Sequence, residues 1–286
     1  MTHSPGAVGR LVVCPTPIGN MQDVTLRVLE ALASADVVAC EDTRHTGLLL
    51  KRHGLRRTLV SLHEHNEQRR SAELVGRIHA GEVVALVSDA GTPLLADPGY
   101  ALVHACVQAE LPVEVLPGPS AVTTALVASG LPPDRWCFVG FLPRAAEPRT
   151  RLFAGAQHTL VAFESARRLA GTLALLAELD PQRPAAVCRE LTKLHEEVRR
   201  ASAAELAQHY RQNPAAQRGE VVLVVGAAAQ PLRDDEAVGA LAALIEAGAR
   251  ARPAAAVVAR LTGARANELY RAAAQQRSPA EAAGRR

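Results

Sequence analysis

Short apolar runs alternate with amphipathic stretches through the first 130 residues. Leu11 to Cys14 reads as a buried strand, passes into the stiff loop Pro15 to Asn20, and then through Thr25, a helix-capping residue, into an apolar-periodic helix reaching Ala35. The unit recurs. Val37 to Cys40 leads to a polar loop and a helix near Gly47 to His53, and Thr58 to Leu62 leads to His63, His65 and a helix from Asn66. Val83 to Val87 ends in Ser88 to Pro93, followed by Asp97-Pro98-Gly99 and a helix to Ala109. Val113 to Leu116 ends in Pro117 to Ser120 before a further helix. Apolar runs of this length between helices predict a mostly parallel sheet covered on both faces.

Gly130-Leu131-Pro132-Pro133-Asp134 breaks the rhythm and marks a domain boundary. A second set of strands is expected near Cys137 to Phe141, Thr159 to Phe163, Ala186 to Arg189 and Val221 to Val225, with helices over Arg167 to Leu179 and Ala203 to Arg211. The Val221 run is a candidate for antiparallel pairing in a mixed sheet. From Ala227 the chain turns to Ala, Glu and Arg at helical spacing, which reads as a small helical element with partial disorder as the alternative. The expected organisation is therefore α/β, with domains over residues 1–130 and 131–229 and a helical element over 230–286.

Composition changes the picture in two ways. At 48% hydrophobic but 3% aromatic, the cores must be packed mainly by Ala, Val and Leu, which suits helices lying closely on sheets. The net charge of +3 is compatible with RNA or an anionic ligand without requiring either. Cys14, Cys40, Cys106, Cys137 and Cys188 have neither zinc-site nor disulfide spacing and read as small hydrophobes in a reducing compartment. The opening residues lack an export signal and no run is long enough to span a bilayer, so a cytoplasmic address and no membrane partner are expected.

In open parallel sheets, ligands collect beyond the carboxyl ends of the strands. The loops Pro17 to Asn20, with Gly19, Asp89 to Pro93, with Ala90 and Gly91, and Pro117 to Ser120 all fall there and form one candidate pocket. Their glycines either admit a ligand close to the main chain or supply turn geometry, and Ser120 either caps its helix or faces a ligand. The first loop has no Gly-x-Gly-x-x-Gly run and no Gly-Lys-Ser/Thr, which argues against a dinucleotide enzyme and a nucleotide triphosphatase. Glu41 to Thr46 is the densest polar cluster, although Asp42 or Thr43 also suits a helix cap. The acids and bases around Glu164, Arg189 and Lys193 follow strands of the second domain, where Arg189, Lys193, Arg199 and Arg200 would make a cleft positive.

Pro15 to Asn20, Glu41 to Thr46 and Val87 to Pro93 together resemble the ribosomal RNA small subunit methyltransferase I family, of tetrapyrrole-methylase-like fold. The resemblance continues through Asp97 to Gly99, Pro117 to Pro119, Gly140 to Pro143, Phe163 to Ser165, Arg168-Leu169, Arg189 to Lys193 and Gly219-Glu220. It implies a two-domain fold, a mixed second sheet, S-adenosylmethionine in the interdomain cleft, a homodimer, and 2'-O-methylation of cytidine 1402 in 16S ribosomal RNA, within the small ribosomal subunit. It places cofactor contacts around Asp89, Ala90, Gly91, Ser120, Ala121, Phe163 and Leu191. Two departures bear on RNA contact: Arg265 stands where paired lysines are frequent, and Arg144 to Arg151 contains no lysine.

Glu41, Asp42, Arg44, Glu164, Arg189 and Lys193 are the candidates for orienting ribose or accepting charge, with the general base left open. Arg44 suits positioning rather than proton acceptance. Asp89 is expected to orient the cofactor, Arg189 and Lys193 to meet RNA phosphates, and no metal is expected. Methylation of a small tetrapyrrole and noncatalytic RNA binding in ribosome assembly are the competing readings.

Overall fold

The computed structural model describes residues 9–213, 218–228, 234–262 and 264–281. The opening residues through 8, the expected boundary between 229 and 230, and Gly263 lie outside them.

Five strands, β1 (Arg10–Val13), β2 (Val37–Cys40), β3 (Thr58–Ser61), β4 (Val83–Leu86) and β5 (Val113–Val115), form one sheet in the order β3-β2-β4-β1-β5. Every pairing in it is parallel. Because successive side chains alternate across a strand, Leu11 and Val13 pack under α3 (Glu67–His79) and α4 (Tyr100–Gln108), meeting Leu74, Ile78 and Leu102. Val12 and Cys14 face the other way, toward Val28 and Leu32 of α1 (Leu26–Ser34) and Leu50 of α2 (Thr43–Arg52). Burial on both faces is why these strands read as unbroken apolar runs.

The second sheet contains β6 (Trp136–Phe141), β7 (Thr159–Ser165), β8 (Pro184–Arg189), β9 (Glu197–Ser202) and β10 (Glu220–Val225), in the order β6-β7-β10-β8-β9. It is mixed: β6 and β7 are parallel, and β10 runs antiparallel to both β7 and β8. Its outer face is covered by α6 (Ala146–Ala154), α7 (Ala166–Leu179) and α8 (Ala203–Gln212) around Phe153, Leu169, Leu173, Leu206 and Tyr210. Its inner face receives α5 (Ala121–Ser129), the helix that follows β5, through Val122, Ala125 and Leu126 against Val161, Ala186 and Val224. Packing of α5 joins the two sheets into one compact unit that ends at Ala227.

The second compact unit begins at Ala228. It contains α9 (Asp234–Glu246), α10 (Ala251–Thr262) and α11 (Ala266–Glu281), packed through Leu241, Val258, Leu269 and interleaved alanines. Small side chains supply its apolar face.

Three local expectations need correction. The polar run after β2 is not a loop with a later helix: α2 starts at Thr43, because the Asp42 carboxylate accepts the Arg44 N–H and caps it. The arginine-rich stretch after Pro143 is largely α6, with Arg149 turned inward. Arg199 and Arg200 lie on β9, an edge strand. Charge on an edge strand discourages pairing with another chain, and it also hides the strand from an apolar-run reading.

Candidate functional site

The loop after β1 is stitched to the loop after β4. Thr16 and Gly91 exchange backbone hydrogen bonds at 2.8 and 3.0 Å, and the Thr16 hydroxyl donates to the Ser88 carbonyl at 3.0 Å. The Thr92 hydroxyl donates to the Pro119 carbonyl at 3.0 Å, which brings in the loop after β5. Across the cleft, the Asn20 N–H donates to Thr192 Oγ1 at 3.0 Å. A side chain at Gly19 would place its Cβ 2.5 Å from Lys193 Cγ and 2.8 Å from Thr192 Oγ1. Gly19 is thus required by loop-to-loop contact, while Gly91, at φ +83°, supplies a turn that favours glycine.

These loops frame a cavity of about 630 Å³ between the two sheets, within the ordinary range for small-molecule sites. Ile18, Ala90, Leu95, Asp97 and Ala121 line the first-sheet side, and Phe163, Leu191, Cys188 and Val222 the second-sheet side. Arg167, Arg218 and Glu220 complete the polar part of the wall. Of the residues expected to contact a cofactor, Ala90, Ala121, Phe163 and Leu191 line this cavity directly. Gly19 and Gly91 hold its loops in place. Ser120 stands at the N-cap position of α5, but its hydroxyl makes no cap bond. Pro17 and Asp89 border a smaller neighbouring crevice together with His45 and Thr46.

The candidates for ribose chemistry separate. Asp42 and Arg44 satisfy each other at the start of α2, with Arg44 Nη2 2.7 Å from Asp42 Oδ2. That hydrogen bonding holds the Asp42 carboxyl down at about 2. The Asp42 N–H also donates to Asp89 Oδ1 at 3.1 Å. Glu41 is raised from the usual carboxylate range by burial and by the Asp89 charge, with His63 acting in the opposite direction. His63 itself is engaged by Asn66, at 3.1 Å from its Nε2.

Glu164 belongs elsewhere. Although the residue borders the cavity, its side chain is 0% exposed and pairs with Arg168 at 2.7 Å. It also accepts from the Thr172 hydroxyl at 2.6 Å and lies 3.9 Å from Arg149. Its carboxylate is committed to the layer of α6 and α7 and is not positioned for a ribose proton.

The basic groups expected to make the cleft positive are matched locally. Arg189 donates through Nε and Nη2 to Glu197 Oε2 at 3.2 and 3.1 Å. Lys193 Nζ lies 2.9 Å from both Glu190 Oε1 and Glu220 Oε2. Arg199 also pairs with Glu197, and Arg200 donates to the Ala128 carbonyl. Arg167 lines the cavity without an ion pair among the described residues. Neither Arg167 nor Asp97 was singled out from sequence as a site residue; Asp97 stands in a turn-like Asp-Pro-Gly, and only the strand-end rule pointed near it. Among the described residues, no group of three or more His, Cys, Asp or Glu side chains is arranged to hold a metal.

The family described as Tetrapyrrole (Corrin/Porphyrin) Methylases matches residues 10–207. The chain is 43% identical over 275 residues to the ribosomal RNA small subunit methyltransferase I of Escherichia coli O157:H7, covering 94% of this chain and 96% of that protein. The chain belongs to the ribosomal RNA small subunit methyltransferase I family. The family member from Mesorhizobium japonicum is 44% identical over 265 residues, covering 91% of this chain and 90% of its own. A uroporphyrin-III C-methyltransferase from Thermus thermophilus, solved in complex with S-adenosyl homocysteine, shares the fold at a TM-score of 0.51 and 22% identity, over 76% of this chain and 97% of that one. The tetrapyrrole-methylase-like fold implied by the resemblance is therefore the fold of this methyltransferase I family member.

Proposed function

We propose that this chain transfers a methyl group from S-adenosylmethionine to the 2'-oxygen of cytidine 1402 in 16S ribosomal RNA. The observation that carries the reading is near-full-length identity to small-subunit RNA methyltransferases, joined to a cleft at the strand ends of a methylase fold. A small tetrapyrrole remains a different substrate for the same fold, and it has the weaker support because the near-full-length relatives act on RNA by name.

The cavity fits the cofactor. S-adenosylmethionine carries a flat apolar-faced base, a polar amino-acid end and a methylated sulfonium, which supplies the methyl group. The walls offer apolar surface at Ile18, Phe163 and Leu191, cationic groups at Arg167 and Arg218, and carboxylates at Asp97 and Glu220. In this reading Ala90, Gly91, Ala121, Phe163 and Leu191 hold the cofactor, with Pro17, Gly19 and Ser120 shaping the loops around it. Asp89 acts from behind, fixing the start of α2 through the Asp42 N–H.

The protein's work is to align a ribose oxygen with the methyl carbon, exclude water and receive a proton. Apolar walls exclude water. RNA contact falls to Arg167, whose charge has no carboxylate partner among the described residues, in preference to Arg189 and Lys193, which are already paired. Asp42 holds Arg44 at the start of α2, with Arg44 exposed for positioning.

The assembly is read as a homodimer. Edge strand β6 exposes Trp136 and Phe141, 37% and 65% accessible, a surface that a second copy would cover. A stable, fully active monomer in analytical ultracentrifugation would refute this. The substrate assigns the enzyme to the cytoplasm, and among the described residues no helix is long and apolar enough to cross a membrane. Methyl-transfer assays on naked RNA and on isolated small subunits, followed by nucleotide mapping, test the function. Labelling of a tetrapyrrole without an RNA product would overturn it.

A further inference from the structure

We propose that Phe141 is the platform on which the target cytosine ring stacks, fixing the attached ribose at the mouth of the cavity. This rests on the 2'-O-methylation reading above and deepens it by naming a residue that holds the substrate base.

A β-bulge aims the ring. In β6, Phe138 stands opposite Val161 of β7 but Phe141 stands opposite Phe163, so three steps along β6 match two along β7. Gly140, at φ 66°, absorbs the extra residue in a conformation that favours glycine. Without the bulge, residues three apart would point to opposite faces of the sheet. With it, the Phe138 and Phe141 rings both reach Phe163, at centroid separations of 5.0 and 5.3 Å. The Leu142 N–H then donates to the Phe163 carbonyl at 3.0 Å, and the Leu142 side chain enters the core of the outer face. Alternation therefore leaves Phe141 on the inner face, where it lines the cavity. Bulges beside active sites re-aim side chains in this way.

Three of the chain's four phenylalanines, Phe138, Phe141 and Phe163, meet at this wall. Phe163 is the inner ring, and Phe141, one ring further out, is 65% exposed. A lone exposed ring needs no explanation; one aimed by a bulge into a cavity, in a chain this poor in aromatics, does. Arg167 and Arg218 line the same cavity, so a flat apolar surface stands beside cations suited to phosphates. Unpaired RNA is recognised by that combination, with bases stacked on aromatic rings and basic groups following the backbone. A base held by its flat face restricts the ribose bonded to it, and with it the approach of the 2'-oxygen to the methyl carbon. Because every base has such a face, Phe141 positions the nucleotide and does not select cytosine. Phe141 belongs to the β6 edge as well as to the cavity wall, so a second copy covering that edge and a base entering the cavity meet different sides of the ring.

Methylation of small subunits lacking the modification, by four variants, tests the platform. Removing a base–aromatic stack costs about 5- to 150-fold in binding, so Phe141→Ala and Phe141→Leu should lose kcat/KM within that range. Phe141→Tyr and Phe141→Trp keep a flat ring and should stay within about threefold of wild type. In Phe141→Ala, calorimetric affinity for S-adenosylmethionine and sedimentation should match wild type. Its RNA binding should weaken with an unchanged log–log salt slope, because a stack releases no counterion. Full activity of Phe141→Leu would overturn the platform by reducing the ring to an apolar contact. A cofactor-affinity loss equal to the kinetic loss would assign the ring to the cofactor instead, and dissociation of the assembly would assign it to the contact between copies. If wild-type protein yields no 2'-O-methyl product, the functional reading falls together with the platform; if it does while Phe141→Ala remains within about threefold, only the platform falls.

Discussion

Glu164→Gln separates a buried structural carboxylate from a catalytic one. The substitution keeps volume and two hydrogen-bonding positions, but removes the charge that faces Arg168 at 2.7 Å and Arg149 at 3.9 Å. Arg168 can turn toward water because its side chain is 30% exposed, whereas Arg149 is 11% exposed and cannot readily do so. The Nε atoms of both arginines already lack hydrogen-bond partners. Breaking a buried pair by removing one charge typically costs about 3–5 kcal/mol; the glutamine oxygen can still accept from the Ser165 N–H and its NH2 can donate to a Thr172 hydroxyl that turns, which places the expected loss near the lower end, about 3 kcal/mol. In a chain of this size that lowers Tm by roughly 6–12 °C. Urea denaturation and calorimetry read the loss, and kcat measured below the lowered transition should remain within about threefold, since one tenfold step already requires about 1.4 kcal/mol of lost transition-state stabilisation. Wild-type stability combined with a hundredfold loss of kcat would refute the assignment and return Glu164 to the reacting centre.

Other substitutions test different parts of the cleft. Gly19→Ala forces a Cβ against Lys193 and Thr192 and should destabilise the protein by about 1–3 kcal/mol while weakening cofactor binding; unchanged calorimetry would contradict the loop-to-loop role. Arg167→Ala should weaken RNA binding and reduce its log–log salt slope by about 0.7 for a single-stranded target; an unchanged slope would exclude a phosphate contact. Asp42, held at about 2 against the ordinary 3.8, contributes stability that is present above 3.8 and is lost as pH falls through about 2. Asp42→Asn should therefore flatten the acid-induced loss in that window, and an identical acid profile would show that the Arg44 contact does not form in solution.

The first sheet was readable because its strands are buried on both faces, as Leu11 to Val13 and Val37 to Cys40 illustrate. Strand β9 was not: Glu-Val-Arg-Arg-Ala-Ser at a sheet edge carries charge for pairing control and has no apolar run. The strand-end rule led to the loop of Ala90, and the family resemblance added Ala121, Phe163 and Leu191, all four on the cavity wall. It failed to separate Glu164 from the reacting groups, because Arg149 approaches from another helix and Thr172 from two turns along α7. Asp97 was equally hidden as a residue of the cavity wall. Its Asp-Pro-Gly setting describes a turn, while its carboxyl is pushed up to about 6 by burial and by Glu41, more than fifty residues earlier in the chain. Local sequence supplied the loop positions; tertiary charge and desolvation divided their roles.

The decisive measurement is nucleotide-resolved mapping of methyl groups on small ribosomal subunits lacking this modification, after incubation with purified protein and labelled S-adenosylmethionine. A single labelled ribose at cytidine 1402, resistant to alkaline cleavage on its 3' side, is the predicted product. Label on a base, label at another nucleotide, or no RNA label from folded, cofactor-binding protein would contradict it.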